Sequence, residues 1–374
     1  MAINKHTNIN KQNILKNFDF VLLFLTVLTA VFGMVMIMSA TSTPFKYVLV
    51  QGFALVLGLV AVFFLMIIDY EYLAKMSKYL YGASVILLIL VLVPGIGTME
   101  NGARSWFRFG NLISVQPAEF AKLFFIITFS KHISSTGMLL NRPKNILLLM
   151  AHLGALLLLI LLQPDFGTAM VFFCMAFVML FVAGIAWKYI IAFFGVVAVA
   201  APLGWMFFLK TYQKDRILTL FNPEADPMGT GYHVVHSKIT VGSGQLSGTG
   251  LFEGVSQYNN YLPERHTDFI FSVVCEELGF IGALVVIGLL VAIILRCVYV
   301  GINARNDLGK YICLGVAAMF AFHLIENVGM CIGVMPVTGI PLPFFSYGGS
   351  SLLTNLVAIG LVMNVKYRSK MINF

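Results

Sequence analysis

The stretch Leu262–Gly282, L-P-E-R-H-T-D-F-I-F-S-V-V-C-E-E-L-G-F-I-G, carries three acids from the edge of an apolar run into its interior. Asp268 ends a polar segment and stands at the first turn of the expected helix, with Glu276 and Glu277 deeper in the same run. A carboxylate in a lipid-embedded helix costs roughly 2.5–3.5 kcal/mol on insertion scales, so each needs a partner or a function. Residue chemistry leaves two readings of Asp268 open. With Thr267 it occupies a helix N-cap position, where a side-chain oxygen satisfies an otherwise unpaired N–H. In the same place it faces water at the membrane border and could act as general base on a lipid-linked substrate. On an ideal helix, Glu276 lies about 80° from Asp268 and Glu277 about 180° away. Glu276 therefore belongs with the site, and Glu277 is expected to pair with another helix.

A second charged pair, Glu119 and Lys122, lies in Q-P-A-E-F-A-K, where Pro117 suits a first helical turn. At i and i+3 the two share a face and can pair within the membrane, either as a structural ion pair or as part of a site. His323 and Glu326 have the same spacing and are expected to hydrogen-bond to each other. Gln163–Thr168, Q-P-D-F-G-T, is explained by turn chemistry. The glycine run V-G-S-G-Q-L-S-G-T-G-L at 241–251 lacks the Gly-Lys-Ser/Thr ending of a phosphate loop. With no HExxH, paired CxxC or GxSxG, metal hydrolase and serine hydrolase readings have no support. P-V-T-G-I-P-L-P-F-F-S-Y-G-G-S-S at 336–351 is a proline-broken loop opening a helix with small residues. Either Gly348, Gly349, Ser350 and Ser351 allow close helix packing, or Ser346 and the irregular backbone line a groove.

These residues must be positioned by membrane-spanning helices. The chain has 374 residues, 59% hydrophobic and 11% charged, with a mean hydropathy of +0.91. Apolar runs of bilayer-crossing length recur throughout. They predict an all-α polytopic membrane protein of about ten spans, at 18–40, 47–68, 79–95, 116–133, 145–163, 167–185, 188–209, 268–296, 310–333 and 344–365. A tail at 1–17 precedes a single transmembrane domain at 18–374. Lys and Arg concentrate in the loops on the N-terminal side, which places both termini in the cytoplasm. The first helix is read as uncleaved because its apolar run is too long for a signal peptide. The net charge of +8 is spread over loops and ends, which argues against nucleic acid. Cys174, Cys275, Cys297, Cys313 and Cys331 fall in or beside apolar runs and read as small buried hydrophobes. Two extracytoplasmic segments stand out. The loop at 96–115 mixes Arg104 and Arg108 with Trp106 and other aromatics. The one at 210–267, between the seventh and eighth spans, is far longer than a connection requires. H-V-V-H-S-K-I-T-V within it predicts an amphipathic helix on the membrane, followed by a glycine-rich turn.

Six motifs in order, G-A-R-S-W, Q-P-A-E-F-A-K, Q-P-D-F-G-T, G-Y-H-V-V-H-S-K-I-T-V-G-S-G, L-P-E-R-H-T-D-F-I-F and P-L-P-F-F-S-Y-G-G-S-S, resemble the SEDS family of bacterial cell-wall polymerases across nearly the whole chain. Within that family the resemblance leans to the RodA branch over FtsW. His236, Thr240 and Ser105 depart from the family pattern. The resemblance implies a peptidoglycan glycosyltransferase that polymerises lipid II at the outer face of the bacterial plasma membrane during elongation. It makes Asp268 the essential acid and Glu119–Lys122 a required intramembrane pair. Arg104, Trp106, Arg216, Lys238, Arg265, His266, Glu276 and Ser346 complete the candidate set, the cations to balance a leaving pyrophosphate. A divalent cation, Mg2+ or Mn2+, is a candidate cofactor, and apolar grooves between spans would hold the lipid tails. The implied partner is a class B penicillin-binding protein. The rival readings are a lipid II flippase, and an FtsW-like division polymerase or a scaffold for that transpeptidase.

Overall fold

The computed structural model describes residues 18–41, 44–100, 103–109, 113–207, 214, 218–220, 222–223, 229–254 and 262–369. Among the described residues, twelve α-helices and a small sheet position the site. Helices α1 (Phe20–Ala40), α2 (Pro44–Ile67), α3 (Tyr70–Lys75) and α4 (Ser77–Leu92) lead to strands β1 (Thr98–Glu100), β2 (Ala103–Phe109) and β3 (Ile113–Val115). Helices α5 (Pro117–Thr136), α6 (Pro143–Leu162), α7 (Phe166–Val182) and α8 (Trp187–Phe207) follow. After them come α9 (Thr230–Ser243), α10 (Ile270–Ile302), α11 (Asp307–Cys331) and α12 (Gly349–Ser369). Seven of these helices are long and apolar enough to cross a membrane, and α4 and α7 are shorter apolar helices. The chain is thus a mostly helical, polytopic membrane protein.

The expectation of an all-α chain needs one correction. Residues 98–115 form a three-stranded antiparallel sheet, with Thr98 opposite Trp106 and Phe107 opposite Val115. Bulky aromatic and β-branched residues in A-R-S-W-F-R-F and I-S-V favour a pleated ribbon over a helix there. The ribbon packs on α4, α5 and α12.

Helices α11 and α12 form the buried centre, whereas α8 is almost wholly exposed. α12 packs along α2, and α11 against α10, α7 and α5. At one end of the bundle, Asp19 ahead of α1 binds Arg296 of α10 and Lys366 of α12. The expected amphipathic helix is α9, which packs on α10 and is followed by a turn at 244–247.

α10 is not continuous. Gly279 has φ +65° and ψ −164°, which breaks the helix about two and a half turns after its start at Ile270. In an intact helix the N–H groups of Phe280 and Ile281 would donate to the carbonyls of Glu276 and Glu277. Instead they donate to Gln245 O at 2.9 Å and Leu246 O at 3.3 Å. The orphaned carbonyls of Glu276 and Glu277 accept from Thr249 N at 2.9 Å and Gly250 N at 3.0 Å. The glycine run is therefore an insert that re-satisfies a broken helix, as irregular backbone in an apolar setting requires.

Candidate active site

Asp268 lies in a turn, and α10 begins two residues later with Phe269 as its N-cap and no side-chain cap. The N-cap reading is thereby corrected. The chain closes on Glu264 instead: Thr267 N and Phe269 N both donate to Glu264 O at 3.2 Å. Because Asp268 precedes the helix, its 80° relation to Glu276 on an ideal wheel does not apply.

The backbone of this turn is fixed from the other side of the bundle. Tyr347 N donates to His266 O at 2.9 Å, Ser346 Oγ donates to Thr267 O at 2.6 Å, and Asn327 Nδ2 donates to Asp268 O at 2.8 Å. Three successive carbonyls are thus held by three donors. Ser346 Oγ in turn accepts from Leu342 N at 2.7 Å. Gln51 of α2 braces the same loop, donating to Ser346 O at 3.1 Å and accepting from Gly348 N at 3.2 Å. Ser346 acts here as a backbone clasp. The Asp268 carboxylate is half-buried and lies beside Gly339, where an added methyl would come within 3.3 Å of Oδ2. Gly339 has φ +75°, a conformation that favours glycine, so the backbone strains any side chain there and the Asp268 carboxylate would have to give way slightly.

One face of α11 joins this turn to the second charged pair. Lys122 Nζ sits 2.9 Å from Glu119 Oε1 and 3.1 Å from His323 Nε2, while Thr354 of α12 donates to Glu119 Oε2 at 3.0 Å. His323 and Asn327 are one turn apart, so the two centres are separated by about 6 Å along α11. The expected His323–Glu326 pair does not form. Their spacing allows it, but Lys122 takes the imidazole and Thr338 donates to Glu326 Oε1 at 2.8 Å. Sequence reading missed Asn327, Gly339, Gln51, Thr354 and Thr338. Their partners lie far off in the chain or have no charge to draw notice.

The other candidates are placed as follows. Glu277 accepts from Ser39 of α1 and, at 3.4 Å, from Phe252 N. Glu276 is buried beside it, and Gly254 packs between the two carboxylates. Arg265 is buried and donates from Nε to Ala40 O at 2.6 Å, capping the end of α1. Burial lowers its pKa, opposed by Glu276. His266 packs on Tyr47 and Tyr347. Burial holds its pKa below the usual range, with Glu264 opposing and Arg265 adding. Arg104 on β2 donates to Leu92 O at 3.4 Å, and Trp106 pairs with Thr98 in the ribbon. Lys238 of α9 is exposed, with its stem laid over Gly333. Arg216 lies outside the described residues. Among the described residues, no three His, Cys, Asp or Glu side chains come together. All five cysteines are free. An apolar groove between α2 and α12, lined by Leu57, Val60, Phe64, Leu65 and Val357, lies at the opposite end of α2 from Gln51. It is therefore remote from Asp268.

The chain is thus a polytopic helical bundle that holds a half-buried Asp268 on a clamped turn, with a buried Glu119–Lys122 pair one turn away along α11. The profile of the FtsW/RodA/SpoVE family, described as cell cycle protein, matches residues 19–371, and the chain belongs to that family. It is 38% identical over 362 residues to the probable peptidoglycan glycosyltransferase FtsW of Trichlorobacter lovleyi, covering 94% of this chain and 93% of the relative. It is 35% identical over 297 residues to the peptidoglycan glycosyltransferase MrdB of Escherichia coli K12, covering 79% of each. Among solved structures, a chain from work on coordination of polymerization and crosslinking by a peptidoglycan synthase complex superposes with a TM-score of 0.83 at 34% identity, covering 95% of this chain and 99% of that one. The Thermus thermophilus rod shape determining protein RodA gives 0.71 at 32% identity, covering 95% and 98%.

Proposed function

We propose that this chain is a peptidoglycan glycosyltransferase that polymerises lipid II, with Asp268 as its general base. The observation that carries this reading is the 266–268 turn, a half-buried aspartate on a backbone clamped at three successive carbonyls. A base held this rigidly can be kept within reach of one hydroxyl, which is the geometric demand of general base catalysis.

In the proposed reaction Asp268 takes the proton of the acceptor's GlcNAc 4-hydroxyl. That oxygen forms a bond to the donor's anomeric carbon, and the bond from that carbon to undecaprenyl pyrophosphate breaks, with inversion to a β-1,4 link. One base suffices, because inversion needs no covalent intermediate. Negative charge builds on the pyrophosphate and must be stabilised. Lys238 is suited to this, being exposed, whereas Arg265 is committed to Ala40 O. Glu119–Lys122 and Glu276 act in support, beneath and beside the turn.

The wider reading has ten spans within a single domain at 18–374, a large outer loop at 210–267 and both termini in the cytoplasm of a bacterial plasma membrane. Lys366 and Arg368 end α12 at the Asp19 end of the bundle, away from Asp268, as the positive-inside rule requires of a cytoplasmic face. Gln163 and the H-S-K-I-T-V-G-S-G and P-E-R-H-T-D runs favour a RodA-like role in elongation. Similarity to a chain of a synthase complex supports a class B penicillin-binding protein as partner. The test is polymerisation of labelled lipid II by purified protein, with and without that partner. Wild type should make glycan chains, and Asp268→Asn at equal abundance should lose at least a hundredfold in rate, about 2.7 kcal/mol of barrier. Full activity in Asp268→Asn would refute the base assignment.

A further inference from the structure

We infer that Asn327 is a positioning residue for Asp268, holding the backbone of the turn so that its carboxylate stays in register with the loop around Gly339. This rests on the reading of Asp268 as base. Asn327 Nδ2 donates at 2.8 Å to Asp268 O and at 2.8 Å to Ile340 O. One amide therefore ties together the residue that carries the carboxylate and the residue after Gly339, whose Cα faces that carboxylate.

The arrangement is specific to an amide. Asn327 is fully buried in α11, and its Oδ1 has no hydrogen-bond partner among the described residues. Its polar role is thus donation through the two hydrogens of one nitrogen. Aspartate has the same shape but, ionised, only accepts, so it would set an oxygen against two carbonyl oxygens. The neighbouring braces cannot replace it. Ser346 and Tyr347 hold the carbonyls of Thr267 and His266, leaving Asp268 O to Asn327 and a long 3.9 Å contact from Cys331 Sγ. Asn327 is also the link between centres, since His323, one turn earlier on the same face, meets Lys122.

The test is steady-state lipid II polymerisation by the purified full chain with its partner, comparing wild type, Asn327→Asp, Asn327→Ala, Asp268→Asn and Asp268→Asn combined with Asn327→Ala. Displacing a base by about 1 Å can cost on the order of a hundredfold, so kcat should fall between tenfold and a hundredfold in both single Asn327 variants. KM should stay within about twofold, because no substrate contact is removed. Adding Asn327→Ala to Asp268→Asn should not lower the residual rate further. Three results would overturn the inference: wild-type kcat in both Asn327 variants, a loss confined to KM, or failure of both variants to fold, which would make the amide a support of the fold alone. If Asp268→Asn itself polymerises at the wild-type rate, the base reading fails first, and that result is distinguishable from the other three.

Discussion

Glu119 and Lys122 illustrate how single residues in this protein are held to account by burial. Both are almost fully buried, and each has a second partner, Thr354 for Glu119 and His323 for Lys122. A charge with no partner in such a place is far more costly than the pair itself is stabilising. Removing one member of a buried pair typically costs about 3–5 kcal/mol, while replacing both with neutral groups is often close to neutral. Lys122→Met should therefore lower folded yield sharply in size-exclusion profiles of detergent extracts. Combining it with Glu119→Gln, which keeps an acceptor for Thr354, should restore most of that yield. If the double variant folds yet fails to polymerise lipid II, the pair serves the reaction as well as the fold. Position i and i+3 made the contact legible in the sequence. His323 and Thr354, 201 and 235 residues distant from their partners, carried no such signal.

Among the elements, α10 shows best where sequence reasoning stops. Its apolar run announced a span, and α9 with its following turn was legible from amphipathic spacing and glycine content. The break at Gly279 was not, since a lone glycine in a helical pattern is ordinarily tolerated at a cost of about 1 kcal/mol. What makes it a break is the insertion of residues 245–250, which supplies four backbone hydrogen bonds across a gap of about thirty residues. The ribbon at 98–115 was hidden for a related reason: strand pairing is a property of three short segments together. A methyl at Gly279 would lie 2.4 Å from Gly248 N and 2.5 Å from Leu246 O, at a φ of +65°. Gly279→Ala should thus expel the insert or force the helix to close, exposing either Gln245–Gly250 or the backbone of α10. Amide hydrogen exchange should show faster exchange at Thr249, Gly250, Phe280 and Ile281 than in wild type. Unchanged protection at all four would mean that the insert does not depend on the glycine.

For the molecule as a whole, the two ends of the bundle do separable work. Near Asp268, elements distant in sequence meet through hydrogen bonds to backbone, and the arrangement fixes one carboxylate in place. At the other end, a single buried carboxylate gathers three helices: Asp19 binds Arg296 of α10 at 3.0 Å and Lys366 of α12 at 2.7 Å, and caps Leu22 N of α1. Its side chain is fully buried, while Arg296 and Lys366 are 27% and 14% exposed. Both cations can reach water if the acid is lost, so the penalty should fall near the low end of the range for a broken buried pair, about 3 kcal/mol. The Gly279 break lies between these ends and interrupts the hydrogen-bond ladder of α10. Asp19→Asn should accordingly lower the apparent Tm and speed thermal inactivation, while the rate of lipid II polymerisation per folded molecule stays at the wild-type level well below that temperature. A fall in kcat of the folded fraction would show instead that α10 transmits strain through the break, and that the anchored end and the catalytic turn are mechanically one unit.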